Sequence, residues 1–191
     1  MTFNGHGSES STAPETSIIY TANTPSDTGS NDNLDDHDFV DAGVSQSIPV
    51  PWPGSTFIIR SISSGHVITL LNGKVILAAP GGRGSIHWKC EESEGWLGFR
   101  NTTSGKLLGH DVNGNLHCSA NKLDGWEFFQ TRMNPDGGCI LLLTHRWHAF
   151  DTRVKLWHVG SKKEGGTEKL AKVAEGGTGG ITWDFIKIIV C

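Results

Sequence analysis

The chain has 191 residues, with 16 Lys and Arg against 20 Asp and Glu and a formal net charge of −4. That length accommodates one or two domains with a single sizeable core. No apolar run approaches the ~20 residues of a membrane-spanning helix, and the charge balance is a poor match to a phosphate backbone, so neither a membrane span nor a nucleic-acid partner is expected.

The charge is unevenly placed. No Lys or Arg precedes Arg60, whereas Glu9, Glu15, Asp27, Asp32, Asp35, Asp36, Asp38 and Asp41 all do, which puts −8 on the head and +4 on the remainder. Residues 1–48 are rich in Ser, Thr, Asn, Asp and Gly, with isolated apolar positions such as Ile18, Tyr20 and Phe39. Such a segment buries too little surface to offset the entropy of ordering it, so a disordered acidic tail is expected over 1–48. It lacks the basic start and apolar centre of a secretory signal, and its acidity argues against a transit peptide; the expected location is cytoplasmic. The next stretch, Ile48-Pro49-Val50-Pro51-Trp52-Pro53-Gly54, alternates prolines that fix the backbone and remove donors. It reads as a stiff linker over 49–55, with Trp52 packing on the edge of a domain that occupies 56–191.

From Thr56 the chain breaks into short apolar runs at the spacing of an all-β sandwich or barrel. Twelve are predicted: Phe57–Ile62, His66–Leu70, Lys74–Ala78, Ile86–Cys90, Leu97–Asn101, Lys106–Gly109, Asn115–Ser119, Trp126–Gln130, Cys139–Thr144, Val154–Val159, Lys169–Val173 and Ile181–Ile188. Helical periodicity competes over Glu168–Ala174 alone, which is short and bounded by glycines, so a strand is expected there. Turn signals recur with the runs. Ser64-Gly65 anticipates Ser104-Gly105 by 40 residues, and Asn72-Gly73 anticipates Asn113-Gly114 by 41. Trp88, Trp126 and Trp183, each followed by a charged residue, mark the fourth run of each quartet and read as core positions. Three four-strand units with matched turns describe a β-trefoil, because each unit alone leaves an apolar face that only the other two cover.

The run WLGFRN-TSGK-LGHD-NGNL, then GWE-F, GG-ILLL-TH, LWHVG, EKLAK and ITWDFIKI, resembles small fungal single-domain β-trefoils of the fascin-like, actin-crosslinking superfamily over about Thr56 to Ile189. The resemblance implies a cytoskeletal interaction module with filamentous actin as its partner. The net-positive domain would then meet acidic actin through residues such as Arg60, Arg83, Lys162 and Lys163. Against that family, Arg146–Arg153 looks like an insertion in the third unit.

Chemistry-bearing patterns are sparse. Cys90, Cys118, Cys139 and Cys191 show no CxxC pairing and read as small core or strand residues with a terminal thiol. His110 with His117, and His145 with His148, lack complete ligand sets, so no metal is expected; His110-Asp111 reads as the start of a turn. Neither a G-x-S-x-G elbow nor H-E-x-x-H is present, and Gly81-Gly82-Arg83-Gly84 lacks the Lys-Ser/Thr of a phosphate loop. Glu91, Glu92 and Glu94 read as a solvated loop after the fourth strand. A non-enzymatic binding module without cofactors is therefore expected. The alternative to actin is a carbohydrate-binding, lectin-like trefoil, since exposed aromatics stack on sugar rings, although the Gln-x-Trp pattern of ricin-type lectins is absent. Trp96, Trp147 and Trp157 have no threefold counterparts and suit a surface role. The expected contact site lies where the symmetry breaks: His145, Arg146, Trp147, His148, Arg153 and Trp157.

Overall fold

Alternation explains the barrel strands most directly. In TFIIRS, the residues Phe57, Ile59 and Ser61 point inward while their neighbours are half-exposed, the period-2 signature of a strand with one buried face. The computed structural model of the chain describes residues 47–48, 50–145, 155–174 and 177–189, and these hold thirteen strands and no helix. They are β1 (Ser47–Ile48), β2 (Thr56–Ser61), β3 (Val67–Leu71), β4 (Lys74–Ala78), β5 (Trp88–Ser93), β6 (Trp96–Asn101), β7 (Leu107–His110), β8 (Leu116–Ala120), β9 (Phe129–Met133), β10 (Cys139–His145), β11 (Lys155–Glu164), β12 (Thr167–Val173) and β13 (Thr182–Ile188). The last twelve correspond to the twelve expected runs. Residues 1–46, most of the expected tail, lie outside the described residues. The two tail residues that are described, Ser47 and Ile48, pair as β1 with Ile186 and Phe185 of β13.

Six strands close a ring: β2 pairs with β5, β5 with β6, β6 with β9, β9 with β10, β10 with β13, and β13 back to β2. The hairpins β3–β4, β7–β8 and β11–β12 meet one another across one end. This is a β-trefoil. Its two-residue turns carry the backbone conformation that such hairpins require: Asn72-Gly73 has φ of 50° and 76°, and Gly165-Gly166 has 58° and 81°.

Register exposes the threefold repeat and one departure from the expected one. Trp88 lies across from Phe57 and Asn101, and Trp183 across from Cys139 and Ser61. The residue with the matching pair of neighbours in the second unit is Phe129, across from Leu97 and Leu143. Phe129 is fully buried; Trp126, expected in the core, precedes β9 and is 44% exposed. The reason is competition. Phe128 and Phe129 supply an apolar pair two and three residues downstream, and the strand enters the barrel on Phe129. Phe99 then joins the units, lying 5.2 Å from Phe129 and 5.7 Å from Phe185, while Phe57 meets Phe185 at 5.8 Å.

Other expectations are sharpened. Trp52 packs edge-on against Phe57 at 5.6 Å, with the Lys187 ammonium 4.9 Å above its ring. Glu91 and Glu92 belong to β5 rather than to a loop, and Glu91 takes a two-point contact from Arg100 at 2.7 and 2.8 Å, which holds its carboxyl below the usual range. Cys90 and Cys139 are core residues whose thiols burial pushes up to about 12.

Candidate functional site

Beside the core, one cluster gathers side chains whose chemistry packing does not explain. It sits at the seam between the second and third units. Its foundation is Gly109 on β7, where an added Cβ would fall 2.9 Å from both the Glu127 Oε1 and the Trp126 carbonyl. Only glycine lets the Asp124–Glu127 turn approach so closely. The His110 amide donates to the Trp126 carbonyl at 3.3 Å, the Glu127 amide to Asp124 at 2.8 Å, and the Thr144 hydroxyl of β10 donates to the Gly125 carbonyl. Two strands, β7 and β10, and one bond within the turn therefore hold the segment that presents Trp126.

The indole of Trp126 lies on the imidazole of His110, with centroids 5.3 Å apart and planes 15° from parallel. His110 is 4% exposed. Its Nδ1 meets the Asp111 carbonyl at 2.9 Å, which makes Nδ1 the protonated nitrogen, and its Nε2 faces the Lys172 Nζ at 3.1 Å. Lys172, on β12, reaches across from the third unit. Its stem runs over Gly114, where an added Cβ would lie 3.1 Å from the Lys172 Cγ, and its amide donates to the Gly114 carbonyl at 2.8 Å. Trp157 on β11 stands 6.0 Å from the same ammonium. Asp111 accepts the amides of Asn113 and Asn115, each at 2.8 Å, and so shapes the turn under Lys172.

The electrostatics follow from burial. Glu127 is 6% exposed, and desolvation pushes its carboxyl up to about 7, aided by the charge of Asp124. Burial lowers Lys172 to about 8, with Asp111 opposing. Burial also lowers His110, as do the charges of Lys172 and His117, against hydrogen bonds to the Asp111 and Thr144 backbone. The Glu127 carboxyl is thus poised near neutrality and the uncharged form of His110 is favoured, under a solvent-facing indole.

Of the six residues expected to form the contact site, Trp157 joins this cluster. His145 ends β10, paired with Lys155; Arg146, Trp147, His148 and Arg153 lie outside the described residues. Arg60 is engaged by Asp184 through contacts of 3.1 and 2.6 Å. Sequence reasoning missed Trp126, Glu127 and Lys172, and took His110 for a turn residue alone. The Gly-His-Asp run at 109–111 was the available signal, since a glycine inside a strand marks close approach by another backbone. A second concavity of 390 Å³ lies where the three hairpins meet, with Val75, Leu116 and Leu170 as its floor and Lys74, Asn115 and His117 among its lining.

Among the described residues, no group of three or more His, Cys, Asp or Glu side chains could hold a metal ion, and no helix is long and apolar enough to cross a membrane.

No family model matches the chain, and no curated protein does. Solved structures do. A BEL β-trefoil in its apo form shares 12% identity over 73% of this chain and 97% of its own, with a TM-score of 0.54. The GlcNAcα1-4Gal-releasing endo-β-galactosidase from Clostridium perfringens shares 16% identity over 71% of this chain, with a TM-score of 0.53. This chain spans 33% of that enzyme. What is shared with both is the β-trefoil fold; neither likeness extends to the fascin-like superfamily or to a fungal source.

Proposed function

We propose that this chain is a non-enzymatic carbohydrate-binding β-trefoil, with its glycan seated on Trp126 at the seam between the second and third units. The observation that carries the reading is the exposed indole of Trp126 backed by a buried imidazole. A rigid aromatic face, fixed from behind and open in front, stacks on the apolar C–H face of a pyranose at little entropic cost. The ammonium of Lys172, held against the backing imidazole and 6.0 Å from the Trp157 ring, supplies a donor for ring hydroxyls. That one fold neighbour acts on a galactose-containing glycan supports the substrate class and nothing finer.

A glycan array, followed by calorimetric titration of the strongest hit, tests the reading. Binding to a defined oligosaccharide that Trp126→Ala abolishes supports it; a blank array sinks it. The cytoskeletal reading supplies the control arm. Co-sedimentation with filamentous actin at two salt concentrations should leave this protein at background, and salt-sensitive pelleting together with a blank array would favour actin instead.

A further inference from the structure

The lysine at the seam has a setting that sugar stacking does not require. Its Nζ points at the Nε2 of His110 at 3.1 Å, and the Asp111 carbonyl at 2.9 Å claims the proton of Nδ1. Nε2 is therefore left with a lone pair, directed at the ammonium. An imidazole oriented by a backbone acceptor and aimed at a weak nucleophile has the geometry by which a base activates it. Arg60, Arg100 and Lys169 each meet a carboxylate, whereas the ammonium of Lys172 meets an imidazole nitrogen. The stem is immobilised by Gly114, and the head stays half-buried beside the exposed edge of the seam.

We propose that Lys172 is an imine-forming lysine, with His110 as its positioning base, and that its ligands are aldehydes small enough to reach the seam. The ammonium gives a proton to Nε2. The free amine attacks the carbonyl carbon, forming the C–N bond while the carbonyl oxygen takes the proton back from the imidazolium. The resulting carbinolamine loses water to leave a protonated imine. One ammonium and one aldehyde give one iminium ion and one water; nothing is oxidised or reduced. The lowered basicity of Lys172, about 8, acts in the same direction, because it raises the fraction of free amine at neutral pH far above that of a solvated lysine. The inference stands on the two side chains alone and does not need the glycan reading. The open-chain aldehyde of a reducing sugar is the ligand of this class that the glycan reading would bring to it.

Reductive trapping tests it with a probe that is not a sugar. The full chain is treated with butyraldehyde and cyanoborohydride, and the alkylated lysines are mapped by mass spectrometry. Lys172 should be modified about tenfold or more faster than the exposed Lys74, Lys163 and Lys169, with its rate half-maximal near pH 8. Labelling of Lys172 no faster than Lys163, or a rate still climbing above pH 10, overturns the proposal. His110→Phe keeps a ring against Trp126 and removes the nitrogen acceptor; Lys172 labelling should fall to the rate of Lys163, and an unchanged rate in a folded variant overturns the role of His110. Should that variant fail to fold, the wild-type pH profile decides. A blank glycan array with selective labelling of Lys172 would sink the glycan reading and leave this one standing.

Discussion

Arg60 and Asp184 close the barrel. They face each other across the first and last strands of the ring, with the Arg60 Nε donating to Asp184 Oδ1 at 3.1 Å and Nη2 to Oδ2 at 2.6 Å. Asp184 is 6% exposed, and the fork engages both of its carboxylate oxygens. Arg60→Leu removes this fork from a buried carboxylate and should cost about 2 kcal/mol in urea unfolding, discounted for the partial exposure of the arginine. The double variant with Asp184→Leu should lose less than the sum of the two single variants; strict additivity would show that the pair is not coupled.

Phe129 and Trp126 exchange the roles that residue type alone suggests, and truncation separates them. Phe129→Ala opens a hole in the barrel core and should cost about 3–5 kcal/mol. Trp126→Ala should cost under about 1 kcal/mol while removing glycan binding. Chemical denaturation of both, set beside calorimetry, reads the two effects; a larger stability loss at Trp126 would contradict the register.

Glu127 makes stability depend on pH in a direction opposite to that of most carboxylates. Its folded pKa, about 7, lies above the ordinary value of 4.5, so the folded protein holds a proton that the unfolded chain has released between those limits. Stability from this group is complete below about pH 4.5 and is lost as pH rises to 7. Glu127→Gln removes that dependence and should stabilise the protein at pH 8 by up to about 3 kcal/mol, with little change at pH 4.5. Thermal melts at the two pH values check it, and equal shifts at both would refute the assignment.

Gly109 is the tightest constraint on the seam. Gly109→Ala puts a methyl group against the Trp126 carbonyl, which cannot rotate away, and should cost about 1–3 kcal/mol. The Asp124–Glu127 turn should lift from β7, seen as a red-shifted component of the tryptophan fluorescence. Unchanged stability and emission would mean that the turn does not rest on this strand.

Local chemistry alone determined a good deal about this chain. The Asn72-Gly73 and Gly165-Gly166 pairs demand two-residue hairpins, the alternation in TFIIRS demands a one-sided strand, and the recurrence of Ser-Gly and Asn-Gly at 40 and 41 residues demands a repeated unit. The turns and the alternation are nearest-neighbour effects and the recurrence is a period written along the chain, so the trefoil and its twelve strands were legible from sequence. Which aromatic fills the second unit's core was not, because the choice between Trp126 and Phe129 rests on cross-strand partners, Leu97 and Leu143, that lie 32 and 14 residues from Phe129 in the chain. The seam is less legible still. His110 and Lys172 are 62 residues apart and meet only because two hairpins of different units pack side by side. Glu127 carries no unusual signature in sequence; burial beneath the turn that Gly109 admits is what changes its proton affinity. Symmetry was readable because it repeats, whereas the site arises where one unit fails to repeat, and only packing between units decides what gathers there.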